Sequence, residues 1–253
     1  MLKIVPIKAY TDNYIWCVIK NEAFCAVIDP GDPIVVKRFL ADKPYKLKAI
    51  YLTHHHYDHV DGVQSLYDEY SPEIYGPQST HDKVGDIVKV VTNGSLDSDI
   101  FDDIQVLSTP GHTSDHISYL INNVHLFCGD VLFSAGCGRI FDGTIEDMYS
   151  TFKAISALNE NIYAYPAHEY TLANLEFAKA VEPANPLIGQ AIIDVKSKLS
   201  ISGCSLPTQI KAEKNFNPFL RAVIETGVFE SSMIQTTDAF KSFTQLRLLK
   251  DKF

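Results

Sequence analysis

The stretch Thr53-His54-His55-His56-Tyr57-Asp58-His59 puts four metal-binding side chains, His54, His56, Asp58 and His59, within six residues. Imidazoles with a carboxylate at this density suit zinc or another borderline transition metal, and a fold carrying them has to be organised around that site. Just upstream, Leu47–Leu52 is an apolar run of strand length. Just downstream, Val60, Val63, Leu66, Tyr67 and Tyr70 recur at helical spacing. The cluster therefore falls on a loop between the C-terminal end of a strand and a helix, where layered α/β folds keep their ligand sites. On an extended loop His54 and His56 share one face and His55 takes the other. The plainer alternative, a polar loop that happens to hold histidines, does not account for four candidate ligands so close together.

The rest of the chain repeats the pattern of a ligand after a strand. Residues 2–8, 14–19 and 26–28 read as strands, the last running into Asp29-Pro30-Gly31-Asp32-Pro33, whose proline and glycine make a turn. Asp29 suits a turn or helix-capping role on its position alone. Val36, Phe39 and Leu40 suggest a helix, and Glu73–Tyr75 a short strand; residues 93–103 read as loop. Ile104–Ser108 runs into Thr109-Pro110-Gly111-His112, a turn that projects His112. Residues 117–121 and 124–128 form a predicted hairpin through Asn122-Asn123, whose second strand delivers Asp130. Thr144 and Asp147 resemble a helix cap. Tyr163–Pro166 is a strand that delivers His168-Glu169-Tyr170. Beyond Glu182-Pro183-Ala184-Asn185-Pro186 the character turns helical: Ile188, Ala191, Ile192, Val195 and Leu199 share a face, residues 200–207 loop, and a last helix spans 237–250. The expected organisation is a metal-binding domain over 1–182 and a helical substrate-binding region over 183–253.

Composition narrows the function. A chain of 253 residues with 46% hydrophobic content can build one large core, or one domain with a smaller companion. The net charge of −9 disfavours nonspecific nucleic-acid or membrane-surface binding, so an anionic substrate needs a local basic pocket. No apolar run is long enough to span a bilayer, and no signal peptide is evident. Five scattered cysteines, an odd number, fit a reduced, cytoplasmic setting. A monomer is expected.

Seven candidate ligands result, His54, His56, Asp58, His59, His112, Asp130 and His168, too many for one tetrahedral zinc. They suit two metals about 3.5–4 Å apart sharing a carboxylate and a water of lowered pKa. The spacing His-x-His-x-Asp-His resembles the signature of the metallo-β-lactamase superfamily, which implies an αββα sandwich. The resemblance assigns His54, His56 and His112 to one metal, Asp58, His59 and His168 to the other, and Asp130 to both. It implies for Asp29, instead of a turn or capping role, that it supports the metal loop from behind. Zinc is the first expectation; iron or manganese would accept the same ligands. Of the other histidines, His55 is expected to pack the loop, His125 to be exposed, and His116 to support the site at most.

Further motifs resemble the glyoxalase II family of hydroxyacylglutathione hydrolases across nearly the whole chain: Asp12–Trp16, Gly136–Arg139, His168–Thr171, Glu182–Pro186, Asn217–Arg221 and Leu246–Asp251. That resemblance implies hydrolysis of S-D-lactoylglutathione to D-lactate and glutathione, the second step of methylglyoxal detoxification. It implies that Arg139, Phe141, Tyr170, Arg247 and Lys250 hold the glutathione, and that Asp58, besides binding metal, orients the attacking hydroxide. Phe141 stands where some relatives carry tyrosine, so it offers no hydroxyl. Cys137 lies near the basic loop, but its neighbours suggest packing rather than nucleophilic work. Lactamases, phosphodiesterases, a single-iron sulfur dioxygenase and a diiron electron-transfer protein share the fold; the C-terminal motifs and the intact ligands favour the thioester hydrolase.

Overall fold

Valine and isoleucine dominate the first thirty residues, and they build a sheet before any helix intervenes. The computed structural model describes residues 2–98, 100–224, 233–234 and 236–253, and its backbone contacts divide the chain into two units. The first holds the chain up to Thr109 together with Asp115–Gly129; the second holds Pro110–Ser114 and Asp130–Phe253. Residues 183–253 thus share a unit with Asp130–Glu182.

In the first unit β1 (Leu2–Ala9), β2 (Asn13–Lys20) and β3 (Phe24–Ile28) form an antiparallel meander. Strand β2 is buried along nearly its whole length, which explains its unbroken apolar reading. Helix α1 (Pro33–Ala41) follows, capped by Asp32, whose side chain accepts from the Ile34 amide. It makes the crossover that a parallel neighbour requires, and β4 (Lys46–Tyr51) pairs parallel to β3. After β4 come α2 (Tyr57–Val60), α3 (Val63–Tyr70), β5 (Glu73–Gly76), α4 (Gln78–Val84) and β6 (Val88–Val90), the strands again parallel. One continuous helix over 60–70 was expected, but two are found. The interruption falls at Asp61-Gly62, where Gly62 packs so closely on the preceding loop that a Cβ would lie 2.2 Å from the Pro30 carbonyl oxygen.

A second, antiparallel run in the same unit comprises β7 (Gly94–Ser95), β8 (Ile104–Ser108), β9 (Ile117–Ile121) and β10 (His125–Gly129). Asn122 and Asn123 both have positive φ, 54° and 53°, as a two-residue type I′ hairpin demands. Tyr119 of β9 reaches across to the first sheet. Its hydroxyl donates to Leu52 O at 2.9 Å, and its ring lies 5.1 Å from that of Tyr51. The two sheets of this unit therefore close over a shared aromatic layer.

The second unit begins with a small hairpin, β11 (Leu132–Phe133) and β12 (Gly136–Cys137), followed by α5 (Ile145–Ser156). Thr144 caps α5 by accepting from the Asp147 amide at 3.0 Å, as its sequence predicts. Then come β13 (Tyr163–Pro166), α6 (Thr171–Val181), α7 (Pro186–Ser202), β14 (Thr208–Gln209), α8 (Ile210–Phe216), α9 (Pro218–Ile224) and α10 (Ala239–Lys250). Helix α7 runs into the stretch read as loop from 200 and stops at Gly203, a left-handed C-cap. The core is aromatic: Phe152, Phe219 and Phe243 meet edge-on or tilted, and Phe177 stacks on Phe219.

One buried acid ties this unit together. Glu213 of α8 is fully buried and accepts from Ser134 Oγ, the Ala135 amide, Thr208 Oγ1 and Asn217 Nδ2. Burial pushes its pKa above the usual glutamate value, and these donors oppose the shift. Truncation to Glu213→Ala leaves four buried donors without their acceptor. It is expected to cost about 3 kcal/mol, lowering the melting temperature by roughly 10 °C in a thermal scan.

Candidate metal centre

In the first unit, the C-terminal end of β4 releases Thr53 and His54, and His56 stands at the N-terminal cap of α2. Asp58 and His59 lie in the first turn of α2 rather than on an irregular loop. Asp29, at the end of β3, is buried beneath them. Its Oδ1 accepts from the Thr53 amide at 2.8 Å, its Oδ2 accepts from Thr53 Oγ1 at 2.7 Å, and Oδ2 stands 3.1 Å from His59 Nδ1. Helix α1 is capped by Asp32 instead, so Asp29 takes the supporting role of the two open to it.

These contacts set the imidazole tautomers. Thr53 Oγ1 gives its proton to Asp29, so it accepts from His54 Nδ1 at 2.9 Å, and the lone pair of His54 sits on Nε2. His59 Nδ1 faces Asp29, which likewise leaves Nε2 as its ligand atom. His54 Nε2 and His56 Nδ1 are 3.1 Å apart. Two nitrogens bound tetrahedrally to zinc at ordinary bond length would be about 3.3 Å apart, so the pair fits one cation. His59 Nε2 is 3.5 Å from Asp58 Oδ2, a second convergent pair. The ligand atoms of Asp29, His54 and His59 also cluster, but both Asp29 oxygens already serve Thr53, so Asp29 reads as a brace. Asn13, which motif reading left without a role, donates from Nδ2 to Asp58 Oδ2 at 2.9 Å.

His116 is buried with its ring 5.2 Å from His54, and its Nδ1 is 2.9 Å from Thr109 Oγ1. It packs behind the loop, the supporting place expected of it. Asp115 instead fixes α4, accepting from the amide and hydroxyl of Ser79. His125 is half-buried rather than exposed, and burial lowers its pKa.

The second unit carries the other three candidates. Asp130 follows β10, His112 lies on the Pro110–Ser114 turn, and His168 follows β13. A single Asp130 oxygen, Oδ2, stands 3.6 Å from His112 Nε2 and 3.4 Å from His168 Nε2. One carboxylate facing two imidazole Nε2 atoms is the arrangement a shared ligand needs. His112 Nδ1 donates to Arg139 O at 2.7 Å, which again leaves Nε2 as the candidate ligand atom.

Aromatic rings flank these histidines. Tyr170 stacks on His168 with centroids 4.8 Å apart, Phe133 meets both edge-on, and Phe141 lies 5.1 Å from His112. Phe141 is 63% exposed, an apolar surface open to solvent beside a ligand. The cations differ from one another. Arg139 is exposed, with Nε 3.7 Å from Asp251. Lys250 is half-buried over Phe177 and Phe253, and burial followed by the charge of Arg247 lowers its pKa. Arg247 is buried, with its head group on backbone carbonyls. The Cys137 thiol is buried too, and burial pushes its pKa up to about 12, which removes it as a nucleophile.

Residues 14–168 match the model of the metallo-β-lactamase superfamily, and residues 169–253 match that of the hydroxyacylglutathione hydrolase C-terminus. The fold agrees. A solved structure of ETHE1 from Myxococcus xanthus superposes with a TM-score of 0.67 at 22% identity, covering 98% of this chain and 91% of that one. A B3 metallo-β-lactamase, BLEG-1, gives 0.64 at 22% identity over 87% of this chain and 99% of the other. The molecule therefore has the metallo-β-lactamase fold, an αββα sandwich, with a C-terminal helical region. Hydroxyacylglutathione hydrolases from Vibrio cholerae and Shewanella halifaxensis are each 41% identical to it over the whole of both chains. The chain belongs to the hydroxyacylglutathione hydrolase family.

The brace on the metal loop can be tested directly. Asp29→Asn keeps the shape but loses one acceptor. It is expected to weaken metal binding about 10- to 100-fold when the apo protein is titrated with zinc. Cys137→Ser, in contrast, should keep turnover within about twofold of the parent, because an inert thiol contributes packing alone.

Proposed function

We propose that this protein hydrolyses the thioester of S-D-lactoylglutathione and related 2-hydroxyacylglutathiones, releasing glutathione and the hydroxy acid. The observation that carries the reading is the pairing of a metallo-β-lactamase segment with a hydroxyacylglutathione hydrolase C-terminal segment, in a chain that its relatives match end to end.

The ligand arithmetic supports a two-metal centre. A hydrolytic zinc keeps about three protein ligands and an open position. The first unit offers two convergent pairs, His54 with His56 and Asp58 with His59. Each lacks a third ligand. The second unit offers two histidines around one carboxylate oxygen. The superfamily resemblance would give His54, His56 and His112 to one cation and Asp58, His59 and His168 to the other, with Asp130 serving both. Zinc suits these nitrogen and oxygen donors. Two such cations supply a water of lowered pKa and an electrophile for the thioester carbonyl.

The protein's own groups do the rest. Asp58, fixed by Asn13 through Oδ2, orients the attacking water and holds its proton. Asp130 keeps His112 and His168 turned toward a common point. The leaving thiolate needs no general acid, since thiols ionise near pH 8.5. Tyr170 and Phe141 provide flat apolar walls for the acyl and cysteinyl portions. Arg139 and Lys250 place positive charge in an otherwise acidic chain, where the glutathione carboxylates need it. Five free cysteines and the reduced tripeptide leaving group suit a reducing compartment such as the cytoplasm. Among the described residues no helix is long and apolar enough to cross a membrane.

Hydrolysis of S-D-lactoylglutathione in ¹⁸O water tests the reading. Label is expected in the lactate carboxylate, and Arg139→Ala with Lys250→Ala should raise KM about tenfold with kcat less affected. A metal-loaded chain that opens β-lactams and leaves acylglutathiones intact would show the reading to be wrong.

A further inference from the structure

Family resemblance gives Arg247 to the substrate, yet only 5% of the residue is exposed and its guanidinium points into the protein. Nη1 donates to Cys137 O at 2.6 Å and to Gly138 O at 3.3 Å. Nη2 donates to Asp251 Oδ1 at 2.9 Å, and the head group lies 5.5 Å over the Phe219 ring. A buried guanidinium persists only with such partners, so its geometry is committed to them.

The loop it grips touches two of the candidate metal ligands. The Gly138 amide donates to Val131 O at 3.1 Å. A Cβ on Gly138 would lie 1.8 Å from Asp130 O, so this loop is pressed onto the Asp130 backbone and tolerates no side chain there. The next carbonyl, Arg139 O, takes the Nδ1 proton of His112 at 2.7 Å. Phe141 N closes the circuit by donating to His112 O at 3.0 Å. Asp251, held by Arg247, also faces Arg139 Nε at 3.7 Å and so restrains the exposed cation.

We propose that Arg247 is a positioning residue for the metal centre: it anchors the Cys137–Arg139 loop from α10, and through the Arg139 carbonyl it fixes the tautomer and ring of His112. Substrate carboxylates then fall to Arg139 and Lys250, and α10 couples the substrate-binding end of the chain to its metal ligands. This rests on the reading of His112 and Asp130 as ligands.

Cobalt(II) titration without substrate separates this role from a substrate clamp, because a clamp has no reason to alter metal binding in the substrate-free protein. The parent should take up two cobalt ions. In Arg247→Ala one of them is expected to bind about tenfold more weakly, at the low end for loss of a ligand's hydrogen-bond support, with a changed visible d–d spectrum. In protein reloaded with metal, kcat should fall while KM for S-D-lactoylglutathione moves less than about twofold. Arg247→Lys, with one donor group in place of a fork, should bind that cobalt about threefold more weakly than the parent, between the parent and Arg247→Ala. Unchanged cobalt affinity and spectrum in Arg247→Ala, with KM alone raised, would overturn the proposal in favour of a clamp. Should Arg247→Ala fail to fold, Arg247→Lys decides: cobalt binding about threefold weaker supports the proposal, and cobalt binding equal to the parent's overturns it. A parent chain that takes up no cobalt refutes the metal reading itself, and this proposal with it.

Discussion

The buried carboxylate of Asp29 is the contact on which the candidate ligands of the first unit depend. A charge removed from water must be paired or hydrogen-bonded, and Asp29 meets that demand with the amide and hydroxyl of Thr53 while facing His59. In doing so it fixes the point where β4 ends, directs Thr53 Oγ1 to accept from His54, and turns two imidazoles so that their Nε2 atoms remain available. The sheet holds Asp29 in place, since β3 and β4 are parallel neighbours whose C-terminal ends lie side by side. Fold and chemistry are joined at that residue.

The second unit uses a different device to orient its candidate ligand His112. His112 is oriented by a backbone carbonyl rather than a carboxylate, and that carbonyl belongs to a loop held by a buried arginine from the last helix. Carbonyls have no charge to spare, so their aim depends on how firmly the loop is held. The unit supplies firmness through the aromatic core under α10 and through Glu213, whose carboxylate accepts from Ser134, Ala135, Thr208 and Asn217. This explains why C-terminal residues far from the histidines in sequence bear on the histidines in space.

The candidate ligands were legible in the sequence because they obey a local rule: each follows a strand whose apolar run and terminal turn can be read over a few residues. Tyr163–Pro166 before His168 and the Asn122-Asn123 turn before Asp130 are of this kind, and both strands are found. What could not be read was set by long-range contact. The break between α2 and α3 falls where Gly62 packs against Pro30, thirty-two positions away in the chain, and no periodicity records that contact. Helix α4 is short and polar, and it is held by Asp115 through Ser79. Asn13 was visible as part of a motif, but its bond to Asp58 spans two strands and a helix. Arg247 and Lys250 look equivalent on one helix face, and only the structure separates a buried head group from a half-exposed one.

Metal stoichiometry set against turnover tests the account most directly. Apo protein refilled stepwise with zinc should gain little thioesterase activity with the first equivalent and most of it as the second binds, reaching two metals per chain. Full activity at one metal per chain, with no gain from a second, would contradict a centre in which Asp130 serves two cations.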